Sequence, residues 1–332
     1  MSAAGRLVPT ARAAEWFRAP ARGWLAAVSI LWLAVAGSPA LAVEVRFVRV
    51  ADGVYAHIGD TGGRSYDNEG LNANIGMVVT PEGVVLIDSG ASFQSARQIH
   101  QAVRQVTNQP VRWVINTGGQ DHRWLGNGYF RAQGAQTISH VRARADMLAR
   151  GGDQIAVLRE VLKERADATV PTLPERFIES DDAQLVLGGV RLELRHRGGG
   201  HTPGDMMVWL PDRNMMFTGD VVYTDRMLGV IPVSNTRAWL ATFQVIESLR
   251  PATIVPGHGS ITTVAGAQAS TRDYLVALRG YMKKAVDSGV DVSAASAAFN
   301  ALPESARFMR LRHGPDLMPG NASWTYIEVE RE

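Results

Sequence analysis

Gly199-Gly200-His201-Thr202-Pro203-Gly204-Asp205 stands between two β-type runs, Leu185–Arg195 and Met206–Leu210, so a histidine and an aspartate fall in a glycine-rich loop at a strand end. Two later segments repeat the design. Phe217-Thr218-Gly219-Asp220 closes the run Met215–Phe217, and Val255-Pro256-Gly257-His258-Gly259 closes the run Thr253–Pro256. Glycine lets the backbone turn sharply there, so a side chain at the strand end can point into a shared site. A lone histidine in such a loop is ordinarily part of a capped turn. Three segments of one design, each following a β-run, favour convergence on one centre.

Working outward, the chain opens with short β-type runs at Val45–Val50, Val54–Ile58, Ile75–Thr80 and Gly83–Asp88, the last two joined by Pro81-Glu82 as a hairpin turn. Ser92 N-caps an amphipathic helix to Val106, and Val111–Asn116 returns as a strand that ends in a polar, glycine-rich loop. Ala143–Ala168 reads as a helix interrupted at Gly151-Gly152, and Leu185–Arg195 as a hairpin about Gly188-Gly189. Helices are expected over Thr236–Leu249 and Arg272–Asp287, the second with Tyr274, Leu275, Leu278 and Met282 on one face. No repeat or linker calls for a second domain.

Composition narrows the chemistry. The chain has 332 residues, 46% hydrophobic and 20% charged, which excludes a disordered tail, a collagen and a heptad rod. It has no cysteine, so a disulfide framework, a thiolate metal cluster and a cysteine nucleophile are all excluded. Any metal must be held by His, Asp or Glu. The excess of 34 basic over 32 acidic residues comes from the first 42, where Arg6, Arg12, Arg18 and Arg22 face only Glu15. No basic stripe remains for nucleic acid.

That N-terminal stretch has an apolar run from Trp24 to Ala36, then Gly37-Ser38-Pro39 and an Ala40-Leu41-Ala42 box. This is the outline of a secretory signal peptide over 1–42, cleaved after Ala42. A periplasmic or secreted domain over 43–332 is expected, with a C-terminal helical and tail extension from about 271 and no stable membrane insertion after cleavage. A small-molecule substrate is the expected partner, and the sequence leaves oligomeric state open.

In order and wording these segments resemble the metallo-β-lactamase-fold hydrolases, which include the β-lactamases, glyoxalase II and many lactonase and arylsulfatase relatives. Asn74 to Gly90, with Asp88, resembles the first hairpin of that family with its buried aspartate. The segments carrying His201, Asp220 and His258 resemble its third, fourth and fifth motifs. The resemblance covers nearly all of the chain after residue 42. It implies an α/β (α+β) fold, a four-layer αββα sandwich with the active site on loops along one edge of two sheets. The tract Tyr223–Asn235, expected either to line a pocket or to pack as a buried connection, is similar to exported members linked with quinoprotein oxidation systems.

The family's second motif, H-x-H-x-D-H, is where the chain departs. Its counterpart reads Asn116-Thr117-Gly118-Gly119-Gln120-Asp121-His122-Arg123-Trp124-Leu125-Gly126-Asn127. Aligned without a gap, Gly118, Gln120, His122 and Arg123 take the four ligand positions. With a compensated gap, Asp121-His122 takes the D-H pair, and Gly118 and Gly119 stand where the first two histidines belong. Either way the histidine pair of the first metal is missing. The gapped alignment leaves Asp121, His122, Asp220 and His258 for one ion with His201 near it. The ungapped one leaves His122, Asp220, His258 and His201, with Gln120 a weaker oxygen donor.

A single zinc is therefore the expected cofactor, iron or manganese being admissible with nitrogen and oxygen donors. The expected activity is hydrolysis by a metal-activated water, with Asp121 and His122 catalytic, Asp88 behind a ligand, and Arg123 either holding an anionic substrate group or blocking the pocket. The alternative is a binding module that has lost metal-dependent hydrolysis. The missing histidine pair favours the module; His201, Asp220 and His258, kept on three distant segments, favour the hydrolase. His57, His100, His140, His196 and His313 are expected at the surface or in supporting positions.

Overall fold

The computed structural model describes residues 44–332; the expected signal segment lies outside the described residues. Seven strands form the first sheet in sequential order: β1 (Val48–Ala51), β2 (Val54–His57), β3 (Ile75–Thr80), β4 (Gly83–Ile87), β5 (Val111–Ile115), β6 (Gln136–His140) and β7 (Arg176–Ile178). β1 to β4 run antiparallel, and β4 to β7 run parallel. The helices between the parallel strands are α1 (Phe93–Val106), the short α2 (Asp121–Trp124) and α3 (Asn127–Ala132), and α4 (Val141–Leu162). Past β7 the chain crosses to the second sheet, built of β8 (Asp182–Leu187), β9 (Val190–His196), β10 (Met206–Leu210), β11 (Met215–Phe217) and β12 (Thr253–Val255). The remaining helices are α5 (Thr236–Leu249), α6 (Val264–Ala267), α7 (Asp273–Asp287), α8 (Val292–Ala301), α9 (Ala306–Met309) and α10 (Gly314–Glu330).

Burial follows the layers. One apolar cluster joins the facing sides of the sheets, with Val78, Val85, Ile87, Ile115 and Ile138 from the first and Leu192, Leu194, Val208, Phe217 and Val255 from the second. A second cluster fills the space between the outer face of the first sheet and α1, through Leu86, Val114, Ile99 and Val103. A third packs α5, α7, α8 and α10 on the second sheet through Trp209, Met216, Phe243, Leu278, Phe299 and Ala322. The result is the helix–sheet–sheet–helix order expected from the sequence. β4 is buried along its whole length, as a strand covered on both faces must be.

Local chemistry sets the element ends. Ser92 and Ser95 form a reciprocal capping box that starts α1, their hydroxyls accepting from each other's backbone N–H at 3.0 and 2.8 Å. The break expected at Gly151-Gly152 does not occur, and α4 continues to Leu162. Gly151 is there for close approach, because a Cβ on it would lie 3.1 Å from the Trp124 ring. Four histidines expected at the surface or in supporting positions, His57, His100, His140 and His196, have buried side chains.

Asp88, Thr117, Thr218 and Pro256 follow the ends of β4, β5, β11 and β12, and the loop 199–205 enters β10 at the same edge. Parallel strands thus deliver their carboxyl ends, where loops of α/β proteins place ligands, to one rim.

Candidate metal centre

At that rim His122, Asp220 and His258 each offer a ligand atom within 4.8 Å of the others, and all three side chains are buried. His122 comes from the first turn of α2, Asp220 from the loop after β11, and His258 from the loop after β12. Asn74 holds the last loop in place. Its Nδ2 donates to Pro256 O and Gly259 O at 2.9 and 2.8 Å, and its backbone N–H donates to Gly257 O at 2.9 Å.

The orientation of the rings carries the chemistry. His258 Nδ1 lies 2.6 Å from Asn72 O, and His201 Nδ1 lies 2.8 Å from Gly229 O. A carbonyl only accepts, so each Nδ1 carries the proton and each Nε2 is left with its lone pair. His122 Nδ1 has Asp121 Oδ1 at 3.1 Å and Arg64 Nη1 at 3.2 Å beside it. The Nε2 atoms of His122 and His258 face the two oxygens of Asp220, at 3.1 and 3.2 Å. For His258, acceptor opposes acceptor, and a cation between its Nε2 and the carboxylate removes the conflict. Burial pushes His258 down to about 3, so near neutral pH its ring offers that lone pair rather than a proton. Backing of ligand imidazoles by carbonyls and carboxylates is the usual support of metal-binding histidines. The donor set fits a zinc-like ion.

Arg123 closes the other side of Asp220. Its Nη2 and Nε reach Asp220 at 2.6 and 3.3 Å, its Nη1 reaches Asp88 Oδ2 at 2.8 Å, and Nη2 also donates to Gly257 O at 3.0 Å. The guanidinium is 1% exposed, so it can only persist with its carboxylates. Burial disfavours ionised Asp220, but Arg123 and His122 outweigh it and hold the carboxyl well below the usual range. Asp88 is pushed up by burial despite Arg123; Thr117 donates to it from both its backbone N–H and its hydroxyl, at 2.7 and 2.9 Å. Arg123 lies inside the protein, bridging two aspartates.

The remaining expected residues divide around this centre. Asp121 stays outside the group: its Oδ1 accepts from Arg64 Nη1 at 2.9 Å and from the His122 backbone N–H at 2.8 Å, and burial, which opposes ionisation, is outweighed by Arg64, so the carboxyl stays ionised. His201 also stays outside it, buried beside Trp239 with ring centroids 5.9 Å apart, close enough for its ionisation to feel Asp220 and His122. Gln120 Oε1 accepts from Arg150 Nη1 at 3.2 Å, and Arg150 in turn grips Asp146 twice at 2.6 Å.

Gly118 and Gly119, expected from the sequence to stand in place of a histidine pair, are closed in by carboxylates. A Cβ on Gly118 would lie 2.5 Å from Asp205 Oδ1, and one on Gly119 would lie 2.2 Å from Asp146 Oδ2. Asp205 accepts from the Thr202 backbone N–H at 2.8 Å and bonds the Thr202 hydroxyl; burial, aided by the charge of Asp220, pushes it up to about 8. Trp124 Nε1 and Gln154 Nε2 pin Gly119 O at 3.1 and 2.9 Å. Sequence reasoning assigned no role to Arg64, Asp205, Asp146 or Arg150. Asp205 sits in the quoted loop and was the one with a visible signal. Tyr223, from the tract read as pocket lining or buried connection, stacks on His258 at 4.9 Å and 19°, while Gly229 of the same tract receives the His201 proton, so the tract packs and also supports the site.

The model of the metallo-beta-lactamase superfamily matches residues 68–258. The chain is 25% identical over 209 residues to metallo-beta-lactamase IND-1 of Chryseobacterium indologenes, covering 62% of this chain and 77% of that protein. It is 26% identical over 222 residues to the human acyl-coenzyme A thioesterase MBLAC2, covering 59% of this chain and 75% of that protein. Among solved structures, the sec-alkylsulfatase Pisa1 from Pseudomonas sp. superposes with a TM-score of 0.67 at 18% identity, over 85% of this chain and 50% of that one. The matched segment begins before Asp88 and ends on His258, spanning the whole rim described above: the chain belongs to the metallo-β-lactamase superfamily.

Proposed function

We propose that this chain is a metal-dependent hydrolase working with one ion, held by His122, Asp220 and His258 with His201 beside it, in place of a two-metal centre. The observation that carries the reading is the convergence of two buried imidazole Nε2 atoms on the two oxygens of one buried carboxylate, with the His258 lone pair facing it. Zinc bound there would polarise a carbonyl or ester and activate water for its hydrolysis. The chain's own residues prepare the site. Asn72 and Gly229 fix the tautomers of His258 and His201, Asp121 backs His122, Arg123 keeps Asp220 ionised, and Asp205 and Asp146 fill the space next to Gly118 and Gly119. That filling supports one ion rather than two.

Elemental analysis of protein purified without chelator tests the reading, beside an Asp220→Ala, His258→Ala variant. About one equivalent of metal, lost in the variant together with hydrolysis of a panel of lactone, thioester, β-lactam and sulfate-ester substrates, is expected. Two equivalents would overturn the single-ion site. No metal after zinc is added back would overturn the hydrolase and support the binding module, a reading favoured by the way Arg123 already satisfies both oxygens of Asp220. The proposal includes export, supported by the apolar run and the Ala40-Leu41-Ala42 box; N-terminal sequencing of the secreted or periplasmic chain should begin at Val43.

A further inference from the structure

Loop 60–64 carries a second chemical feature beside the metal centre. Arg64 on this loop reaches His122 Nδ1 at 3.2 Å as well as Asp121, so its guanidinium touches the centre's own support. Two residues earlier, Gly62 is approached by two more arginines from far along the chain. Arg226 Nη1 donates to Gly62 O at 3.1 Å, and Arg312 Nη2 lies 3.0 Å from where a Gly62 Cβ would be. A parallel backbone bridge between Arg226 and Arg312 keeps these two side by side.

Three guanidiniums gathered at one loop repel one another, and their counter-charges do not balance them. Arg64 is paired with Asp121. Arg226 and Arg312 form no ion pair among the described residues, and Arg226 Nε is buried without any hydrogen-bond partner. Both influence Asp60, which is exposed and already accepts from the Gly62 N–H at 2.8 Å and from Asn68 Nδ2 at 3.3 Å. Counted together, Arg226, Arg312 and Asp60 leave one positive charge. Two guanidiniums beside one carboxylate leave a positive field at the loop that an oxyanion would balance. Three residues before Arg226 in the chain, Tyr223 is stacked on His258, so the arginine's backbone is anchored beside the centre.

We propose that Arg226 and Arg312, with Arg64 between them and His122, form a subsite for an oxyanion group of the substrate: a carboxylate, sulfate or phosphate. The subsite deepens the hydrolase reading by naming the substrate as an anionic ester, thioester or lactone, yet its anion binding can be measured without metal. Guanidinium forks match such oxygens two at a time, which would orient the substrate from the loop 60–64 side.

The test uses the full chain and inorganic sulfate as the probe, with sodium chloride of equal ionic strength as the control. Sulfate should bind the wild type and raise its melting temperature, and Arg226→Gln and Arg312→Gln should each weaken binding about 10-fold or more. Chelator-treated protein should bind sulfate within about twofold of the untreated protein. If both arginine variants bind sulfate as the wild type does, or if chloride at equal ionic strength has the same effect, the subsite is wrong. Loss of sulfate binding with the metal, unchanged by the arginines, would also overturn it. Absence of metal in the purified protein, with arginine-dependent sulfate binding intact, would overturn the hydrolase and leave the subsite standing.

Discussion

Two groups of two histidines and an aspartate occur among the described residues, His122–Asp220–His258 and His140–Asp181–His196, and they are built to opposite rules. In the first, His258 Nδ1 is engaged by a carbonyl, His122 Nδ1 has Asp121 and Arg64 beside it, and the rings meet edge to face, 5.0 Å apart at 76°, so their Nε2 atoms converge on Asp220. In the second, the rings stack 3.9 Å apart at 21°, and lone pairs in near-parallel planes do not converge on one ion. There His140 Nδ1 accepts the backbone N–H of Arg142 at 3.3 Å as the cap of α4, which puts the proton on Nε2, 3.5 Å from Asp181. Asp181 itself is exposed, whereas Asp220 is buried against a guanidinium. Residue types and proximity are shared, and His196, whose Nδ1 lies 3.0 Å from Asp205 O, carries its proton as His258 does; the His140 tautomer and the ring directions differ. The difference teaches that the group behind an imidazole and the direction of its ring together decide whether its outer nitrogen can meet a cation.

The largest expected effect isolates what the second group lacks, a buried counter-charge. Arg123→Met strands Asp88 and Asp220 and should destabilise the fold by about 3–5 kcal/mol, read as a lower urea midpoint with an unchanged slope. An unshifted midpoint would mean that the two groups do not differ in this way. Next, Asp220→Asn should weaken zinc affinity by about 100-fold or more, while His140→Gln with His196→Gln should leave it within about twofold. Metal lost from the second double variant would break the comparison.

The two groups also separate by pH. Burial lowers His140 from its ordinary 6.5 to about 4 and lowers His196 as well. With folded values below unfolded ones, the unfolded chain binds more protons between these limits. The stability of the neutral stacked pair is therefore present above about pH 6.5 and lost as pH falls toward 4. His140→Gln with His196→Gln should flatten that acid loss by an amount of order 1–3 kcal/mol, measured as denaturation midpoints from pH 7 to pH 4. An equally steep acid limb would assign the loss to other groups. The smallest effect compares the two supporting carboxylates: Asp121→Asn should weaken zinc about 10-fold by loosening His122, and Asp181→Asn should not change it measurably in the same titration.

Much of this molecule is written locally. β3, β4, β5, β10 and β11 are apolar runs with turn residues at their ends, and they appear where the sequence places them. His122, Asp220 and His258 are visible because each stands in a polar loop at the end of an apolar run or just beyond it. What fills the space around them is not visible that way. Asp205 occupies the region in front of Gly118, and Arg150 on α4 reaches Gln120, by contacts between segments with no shared periodicity. Arg64 lies in a loop whose composition says only that it is polar, and its meeting with Asp121 is a product of the tertiary fold. Gly151 misleads for a related reason, since a glycine required for packing on Trp124 looks the same in sequence as one that ends a helix.

The filled space beside Gly118 and Gly119 bears on ancestry as much as on chemistry. A histidine arriving at 118 by substitution would meet Asp205 at its first side-chain carbon, and one at 119 would meet Asp146, so each change requires that carboxylate to move. Asp205 would first have to give up Thr202, and Asp146 its grip on Arg150, each step weakening the present fold before any second ion could reward it. A histidine pair at these positions would therefore need coupled changes, each glycine together with the carboxylate beside it. Single substitutions at 118 or 119 are expected to be rarer among descendants of this chain than changes in its loops.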